Sequence, residues 1–350
     1  MIYSIFVTAG LENIARQEII ARFGDTEQFK ILMRKPQRIV FQYTGNPKDL
    51  LSLRTAEHLF VIIKHIPKMT RSRSSLTAIR QALTRFNFGE TLACCRQVGI
   101  RMRRRIPFRV ISRMSGFRNF QKRDLHQVVE RVLVDRGWQL TQSSSGLDVW
   151  AEVHGQDAYI SIRLSKPEMA QRSYKQAHVP QSIKPTLAYS MVWLSQPHPN
   201  DLFLDPMCGA GTILLERAFA GRYRYLIGGD LSKDALNATQ RNFGRQHQPR
   251  QFFHWNTQSL PIQPNSVDKI VSNLPIVERN ENTSQLANLY RKCLHEYETV
   301  LKPNGKMVLL TLQPALLDKI LKQQKSLRTR QRVSVDVGGK RGKIFVIYHC

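Results

Sequence analysis

The 350-residue sequence predicts an α/β protein: an N-terminal α+β region precedes a doubly wound parallel sheet, which ends in an antiparallel hairpin. Three observations carry that reading. Beyond about residue 185, short apolar runs alternate with helix-length amphipathic stretches, the pattern of strands joined by covering helices. The first of those strands, residues 202–205, runs into a glycine-containing turn that opens a helix, and the second ends in an acid, Asp230. The last two apolar runs flank Gly338-Gly339-Lys340-Arg341-Gly342, a turn too short for a parallel crossover.

The elements follow in order. Residues 3–8 alternate as a strand and meet Gly10; Leu11, Ile14, Ala15, Ile19 and Ile20 are then spaced for one buried helical face. Residues 31–33 and 38–43 read as strands, 47–54 as a short helix and 59–66 as another strand. Together these make a small α+β unit over residues 1–70. A Ser/Arg-rich connection at 70–75 leads into a second unit, residues 71–165. There 76–86 and 122–136 read as helices, and 108–112, 147–154 and 157–164 as strands. Residues 166–185 hold Pro167, Pro180 and Pro185 among few apolar positions, which reads as a linker. In residues 186–350 the predicted strands are 202–205, 225–230, 251–255, 267–272 and 306–312. Helices fit 212–220, 233–243, 284–301 and 314–325, and the closing hairpin pairs 333–337 with 344–348.

Composition bounds the function. An apolar fraction of 42% and a charged fraction of 23% are those of a globular chain. No run approaches the roughly 18 apolar residues of a membrane span. The first ten residues lack the basic stretch of a signal peptide. Cys94, Cys95, Cys208, Cys293 and Cys350 form no zinc-like spacing, and their odd number speaks against a disulfide framework. The expectation is a cytoplasmic, metal-free monomer.

Fifty-three Lys and Arg against 26 Asp and Glu leave a net charge of +27, which attracts polyanions and suits a phosphate backbone. A general Arg/Lys bias of composition is the alternative. The densest basic cluster comprises Arg101, Arg103, Arg104, Arg105, Arg109, Arg113, Arg118, Lys122 and Arg123, interleaved with Phe108, Phe117 and Phe120. It is a candidate RNA surface, the other reading being a solvated basic face over core phenylalanines.

The chemistry lies in the C-terminal half. In Asp205-Pro206-Met207-Cys208-Gly209-Ala210-Gly211-Thr212, the two glycines let backbone approach a ligand, and the helix that follows offers free N–H groups suited to a carboxylate. Asp230, at the end of the next strand, is placed to accept from ribose hydroxyls. Loop and acid together specify an adenosine-type ligand. The octet resembles the D-P-x-C-G-x-G-T loop of class I RNA and DNA methyltransferases, which use S-adenosyl-L-methionine. By that resemblance Gly209 and Gly211 line the methionine portion, Asp205 orients the loop, Asp230 holds the ribose, and Cys208 and Thr212 complete the contacts. Asn256 stands where such enzymes carry an Asp for the adenine amine.

Ser272-Asn273-Leu274-Pro275-Ile276 resembles the [DNS]-x-P-[YF] motif of enzymes that methylate exocyclic amines. A guanine N2 lone pair is delocalised into the ring. The Asn273 side-chain oxygen and the Leu274 carbonyl can accept the two amine protons and draw the nitrogen toward tetrahedral geometry, so positioning supplies most of the catalysis. Asn273 also borders the expected cofactor site. Ile276 and Val277 depart from the family's aromatic residue and glycine, which removes a stacking surface worth about 1–3 kcal/mol per base.

The opening Val7-Thr8-Ala9-Gly10-Leu11-Glu12 is similar to the ferredoxin-like start of THUMP-domain RNA methyltransferases. Residues 108–110 with the following helix and paired strands are similar to THUMP itself. Ala170-Gln171-Arg172-Ser173-Tyr174-Lys175 resembles the R-R-G-Y-R linker of that family, and Arg172 joins the candidate RNA-binding residues. The resemblance implies an enzyme that methylates guanosine N2 in the tRNA acceptor stem. Ribosomal RNA is the alternative substrate, and an RNA-binding protein with an attenuated catalytic domain is the alternative class.

Overall fold

The structure is a computed structural model that describes residues 1–24, 28–143, 146–275 and 283–349. The chain forms two compact units. The first gathers Met1–Phe6, Ile20–Leu53 and His58–Met169; the second gathers Val7–Ile19, Arg54–Glu57 and Ala170–Cys350.

Among the described residues, runs rich in Ile, Val and aromatic residues make eight strands in the first unit. They are β1 (Ile2–Val7), β2 (Phe29–Lys35), β3 (Arg38–Tyr43), β4 (Ala56–Ile66), β5 (Pro107–Ser115), β6 (Gln139–Leu140), β7 (Leu147–His154) and β8 (Asp157–Arg163). Their order in the sheet is β2-β3-β1-β4-β8-β7-β5-β6. Pairing of His154 with Asp157 closes the β7–β8 hairpin, whereas β5 and β7 run parallel. The helix that joins that parallel pair is α4 (Lys122–Asp135), counted after α1 (Glu12–Phe23), α2 (Ser74–Thr84) and α3 (Gly89–Gln97). Leu125, Val129, Val132 and Leu133 of α4 are buried at i, i+4, i+7 and i+8, one helical face. The carboxylate of Asp124 accepts the amide of Gln121 at 2.8 Å and closes its N-terminus. Residues 47–54, expected as a short helix, hold only a single 3-10 turn at Asp49–Ser52. The sequence reading omitted α3, whose buried face is only Thr91, Cys94 and Cys95.

The expected linker contains a helical turn, α5 (Glu168–Gln171), and gives way at Pro185 to an unforeseen helix, α6 (Pro185–Leu194). Nine of the ten α6 residues are buried, so its sequence is apolar on every side and shows no 3.6-residue period. Then come β9 (Leu202–Asp205), α7 (Thr212–Phe219), β10 (Tyr225–Asp230), α8 (Lys233–Phe243), β11 (Arg250–His254), β12 (Val267–Asn273), α9 (Thr283–Val300), β13 (Leu301–Thr311), α10 (Pro314–Leu321), β14 (Leu327–Val337) and β15 (Lys340–His349).

Among the described residues these seven strands are ordered β11-β10-β9-β12-β13-β15-β14. Five are parallel; β15 runs antiparallel to β13, and β14 antiparallel to β15, as the short glycine turn requires. Helices cover both faces. One core joins Leu187, Met191, Leu214 and Phe243 to Val271 and Val308; the other joins Tyr290, Leu294, Tyr297 and Leu317 to Ile270 and Leu309. Leu11, just ahead of α1, and Ile14 within it belong to the first of these cores. They are led in by Gly10, whose backbone packs so closely on β14 that a Cβ would lie 1.9 Å from the Ser334 carbonyl oxygen. The strand order reverses between β9 and β12, and the crevice at their carboxyl ends is the topological switch point where α/β sheets bind ligands.

Candidate active site

A cleft of 430 Å³ opens at this point. Asp205, Cys208, Gly209, Thr212, Asp230, Asn256, Asn273, Leu274 and Pro275, all singled out in the sequence, line it. Gly211 does not line it. Its φ of 73° and the nearness of Thr239, 2.9 Å from a hypothetical Cβ, make it the residue that lets the loop turn into α7.

The loop is tied on several sides. Asp230 accepts the Gly209 amide at 2.9 Å and the Ser232 amide at 2.9 Å through separate oxygens, each of which keeps a lone pair for a ligand hydroxyl. From α8, Thr239 Oγ1 donates to the Gly209 carbonyl at 2.7 Å, and Asn242 Nδ2 donates to that of Ala210 at 2.9 Å. The carboxylate of Asp205 accepts from Ser272 Oγ at 2.8 Å and from the Met207 amide at 3.3 Å. Burial, with a smaller contribution from the nearby Asp230 charge, pushes its carboxyl up to about 7, against the lowering effect of those two bonds.

Trp255 was not foreseen. Its Nε1 donates to the Pro206 carbonyl at 3.0 Å, and its ring stacks on Phe253 with centroids 5.3 Å apart. A Cβ on Gly229 would lie 1.9 Å from that ring. The Gly228-Gly229 pair inside a strand is the signal that could have revealed it, because a strand glycine marks the close approach of another group.

Opposite the loop, β12 ends in the Asn273-Leu274-Pro275 turn. The Leu274 amide donates to the Leu310 carbonyl at 2.9 Å, and the Leu274 side chain is buried in the core. Tyr290 Oη, on α9, donates to the Pro275 carbonyl at 2.8 Å and lies 2.9 Å from Thr311 Oγ1, so the turn is braced from beneath. Asn256 turns its side-chain oxygen onto Gln258, accepting its backbone amide at 3.0 Å and its side-chain Nε2 at 3.3 Å. Ile276 and Val277 lie outside the described residues.

The sequence reading also missed the stretch Val179 to Ile183, which lines the cleft from the expected linker. Lys175 Nζ donates to the Ile183 carbonyl at 2.8 Å, and burial lowers this ammonium to about 8. Arg172 Nε bonds Glu216 at 3.1 Å, and its Nη2 donates to the Arg54 carbonyl at 2.7 Å. Glu216 is fully buried and also accepts from Arg54 and Tyr174. Arg172 is therefore engaged in packing the linker onto α7, and that placement does not present it to RNA.

The site suits S-adenosylmethionine. Thr212 Oγ1 is buried beside the cleft with no partner among the described residues, where the carboxylate of an amino-acid ligand would satisfy it. Among the described residues no group of three or more His, Cys, Asp or Glu could hold a metal ion, and no helix is long and apolar enough to cross a membrane.

Residues 172–343 match the RMKL-like methyltransferase domain family. The matched residues all lie within the second unit. The cofactor of this family is S-adenosylmethionine. The human tRNA (guanine(6)-N(2))-methyltransferase THUMP3 is 29% identical over 225 residues, which make up 60% of this chain and 44% of the human protein. The chain thus spans under half the length of that relative. The tRNA (guanine(6)-N2)-methyltransferase of Thermus thermophilus is 27% identical over 342 residues, covering 97% of this chain and 96% of the relative. The crystal structure of TrmN from Thermus thermophilus superposes with a TM-score of 0.83 at 24% identity, over 100% of this chain and 99% of that one, which shows a shared fold.

In the first unit the basic cluster divides by environment. Arg109 is paired with Asp148 at 2.6 Å, and Arg118 donates to the carbonyls of Thr70 and Gly155. The Arg113 guanidinium lies 4.3 Å over the Trp150 ring, yet the residue stays exposed. Arg101, Arg103, Arg104, Arg105, Lys122 and Arg123 are exposed and have no partner among the described residues.

Proposed function

We propose that this protein transfers a methyl group to the exocyclic N2 of a guanosine in RNA, with a tRNA acceptor stem as its substrate. The observation that carries the reading is the meeting of the Gly209 loop, Asp230 and the Asn273-Leu274-Pro275 turn around one cleft. The names of the human and Thermus thermophilus relatives, both tRNA guanine-N2 methyltransferases, support the choice of base and RNA.

S-adenosylmethionine, when bound, supplies an electrophilic methyl group. The protein's part is to hold and align. Thr212 and the first amides of α7 face the carboxylate, and the remaining lone pairs of Asp230 accept from the ribose. The Asn273 side-chain oxygen accepts a hydrogen bond from the target amine, so the nitrogen can leave the plane of the ring. Tyr290 keeps the turn that carries Asn273 from moving, which is the form positional catalysis takes.

In this reading residues 1–70 are a ferredoxin-like domain, 71–165 a THUMP domain, 166–185 a linker and 186–350 the catalytic domain of a monomer. The exposed residues Arg101, Arg103, Arg104, Arg105, Lys122 and Arg123 carry the RNA.

Asn273→Ala tests the reading. Turnover on tRNA should fall about 100-fold or more, the usual cost of losing one aligned polar group, while calorimetric affinities for S-adenosylmethionine and tRNA hold. Turnover within a few-fold of wild type would overturn the role of Asn273. A product other than N2-methylguanosine in nucleoside mass spectrometry would overturn the reaction.

A further inference from the structure

A second cleft, of 320 Å³, adjoins the first and shares Gln181, Ser182, Ile183 and Asn273 with it. Leu187 and Leu312 give it apolar surface, and its remaining wall is the tip of the β14–β15 hairpin, with Asp336 and Lys340. This tip is held in place. The Asp336 amide donates to the Ala9 carbonyl at 3.0 Å, and Asp336 Oδ1 accepts the Gly339 amide at 3.1 Å. Lys184 on the same cleft is matched by Glu57 at 3.1 Å, and Glu57 also accepts from Thr8 at 2.7 Å. Asp336 Oδ2 and the Lys340 ammonium have no such partner among the described residues, and both side chains are exposed.

We infer that Asp336 and Lys340 are the residues that select guanine: the carboxylate accepts from N1–H, and the ammonium donates to O6. The inference rests on the guanine-N2 reading above. Along its Watson–Crick edge guanine presents N2 and N1 as donors and O6 as an acceptor. With N2 held at Asn273, which lines both clefts, the rest of this edge, N1 and then O6, is directed to the groups of the second cleft. An ionised carboxylate only accepts and an ammonium only donates, so the pair matches guanine. Adenine reverses the pattern, with an acceptor at N1 and a donor at N6, and would face each group with its like. Enzymes that act on an extruded base read it on this edge, and mismatched polar groups make the rejection strong.

The experiment compares methyl transfer to full tRNA that carries either guanosine or 2,6-diaminopurine at its sixth nucleotide. Diaminopurine keeps the N2 amine but accepts at N1 and donates at N6. Wild-type protein should prefer guanosine by about 100-fold, since one hydrogen bond to a charged group is worth roughly a factor of ten to a hundred. Asp336→Asn keeps an oxygen for the Gly339 amide and offers an NH₂ to the base. It should lose about 10- to 100-fold on guanosine and narrow the preference, and Lys340→Met should narrow it from the O6 side. Calorimetric affinity for S-adenosylmethionine should match wild type in both variants. Equal use of the two bases by the wild-type protein, which needs no variant, overturns the inference, as does an unchanged preference in Asp336→Asn. If wild-type protein makes no N2-methylguanosine from the guanosine tRNA, the guanine-N2 reading itself fails, and this selection falls with it.

Discussion

Replacing Gly229 with Ala should disconnect the cofactor loop without touching a residue expected to contact the cofactor. The new Cβ would fall 1.9, 2.1 and 2.4 Å from three atoms of the Trp255 indole. That ring is 6% exposed and stacked on Phe253, so it cannot slide aside freely. Overpacking of this kind costs about 1–3 kcal/mol. Displacing the indole also breaks its bond to the Pro206 carbonyl, about another 0.5–1.5 kcal/mol. The reduced freedom of the unfolded chain returns about 0.4–1 kcal/mol. The net expectation is about 2 kcal/mol of lost stability, together with weaker binding of S-adenosylmethionine because Pro206 begins the loop. Trp255→Ala alone should cost about 3–5 kcal/mol. In the double variant the clash disappears, so its loss should be smaller than the sum of the two by more than about 1 kcal/mol. Urea unfolding of the four proteins, with calorimetry of cofactor binding, measures this directly. Additivity to within about 0.5 kcal/mol would show that the indole is not what Gly229 accommodates.

Two further outcomes can be checked. Because Asp205 sits at about 7 rather than in the usual carboxylate range, the folded protein binds a proton there that the unfolded chain releases near pH 4. Stability from this group is therefore highest in acid and declines as pH rises from about 4 to 7, while affinity for the ammonium-bearing cofactor rises as pH climbs through 7. Calorimetric titrations at several pH values should show that rise, and Asp205→Asn should flatten it; an identical pH profile in the variant would remove Asp205 from the cofactor's surroundings. Changing Arg101, Arg103, Arg104 and Arg105 to Gln should lower the slope of log affinity for tRNA against log salt by roughly 0.7–0.9 for each phosphate left without its cation. An unchanged slope would place the RNA elsewhere.

Much of this architecture was legible because its signals are local. The limits of β9, β10 and α8 coincide with the sequence reading, since each is bounded by a turn, a glycine or a capping Ser. The cleft was legible for the same reason: its loop and turn are contiguous motifs. What escaped depends on neighbours distant in sequence. The first part of β14 was missed because Arg328, Arg330 and Arg332 give an edge strand a polar face, which reads as loop. Residues 179–183 carry no motif and line the cleft only because Lys175 and Asn242 hold the chain around them. The family's linker pattern put Arg172 among the candidate RNA-binding residues, and only the structure shows the buried Glu216 that engages its charge.

The close packing of Gly10 on Ser334 has a consequence for how the protein is made. Leu11 and Ile14 are translated well ahead of the rest of their core, whose other buried members begin at Ile183. During synthesis those apolar side chains must wait, shielded by other means, until the β14 segment has left the exit tunnel. Vectorial folding can therefore complete much of the eight-stranded sheet early, but the core around Leu11 and Ile14 closes only once β14 and β15 have been made. A polypeptide begun after the first twenty residues would carry every cofactor-facing motif and still leave part of its hydrophobic surface uncovered.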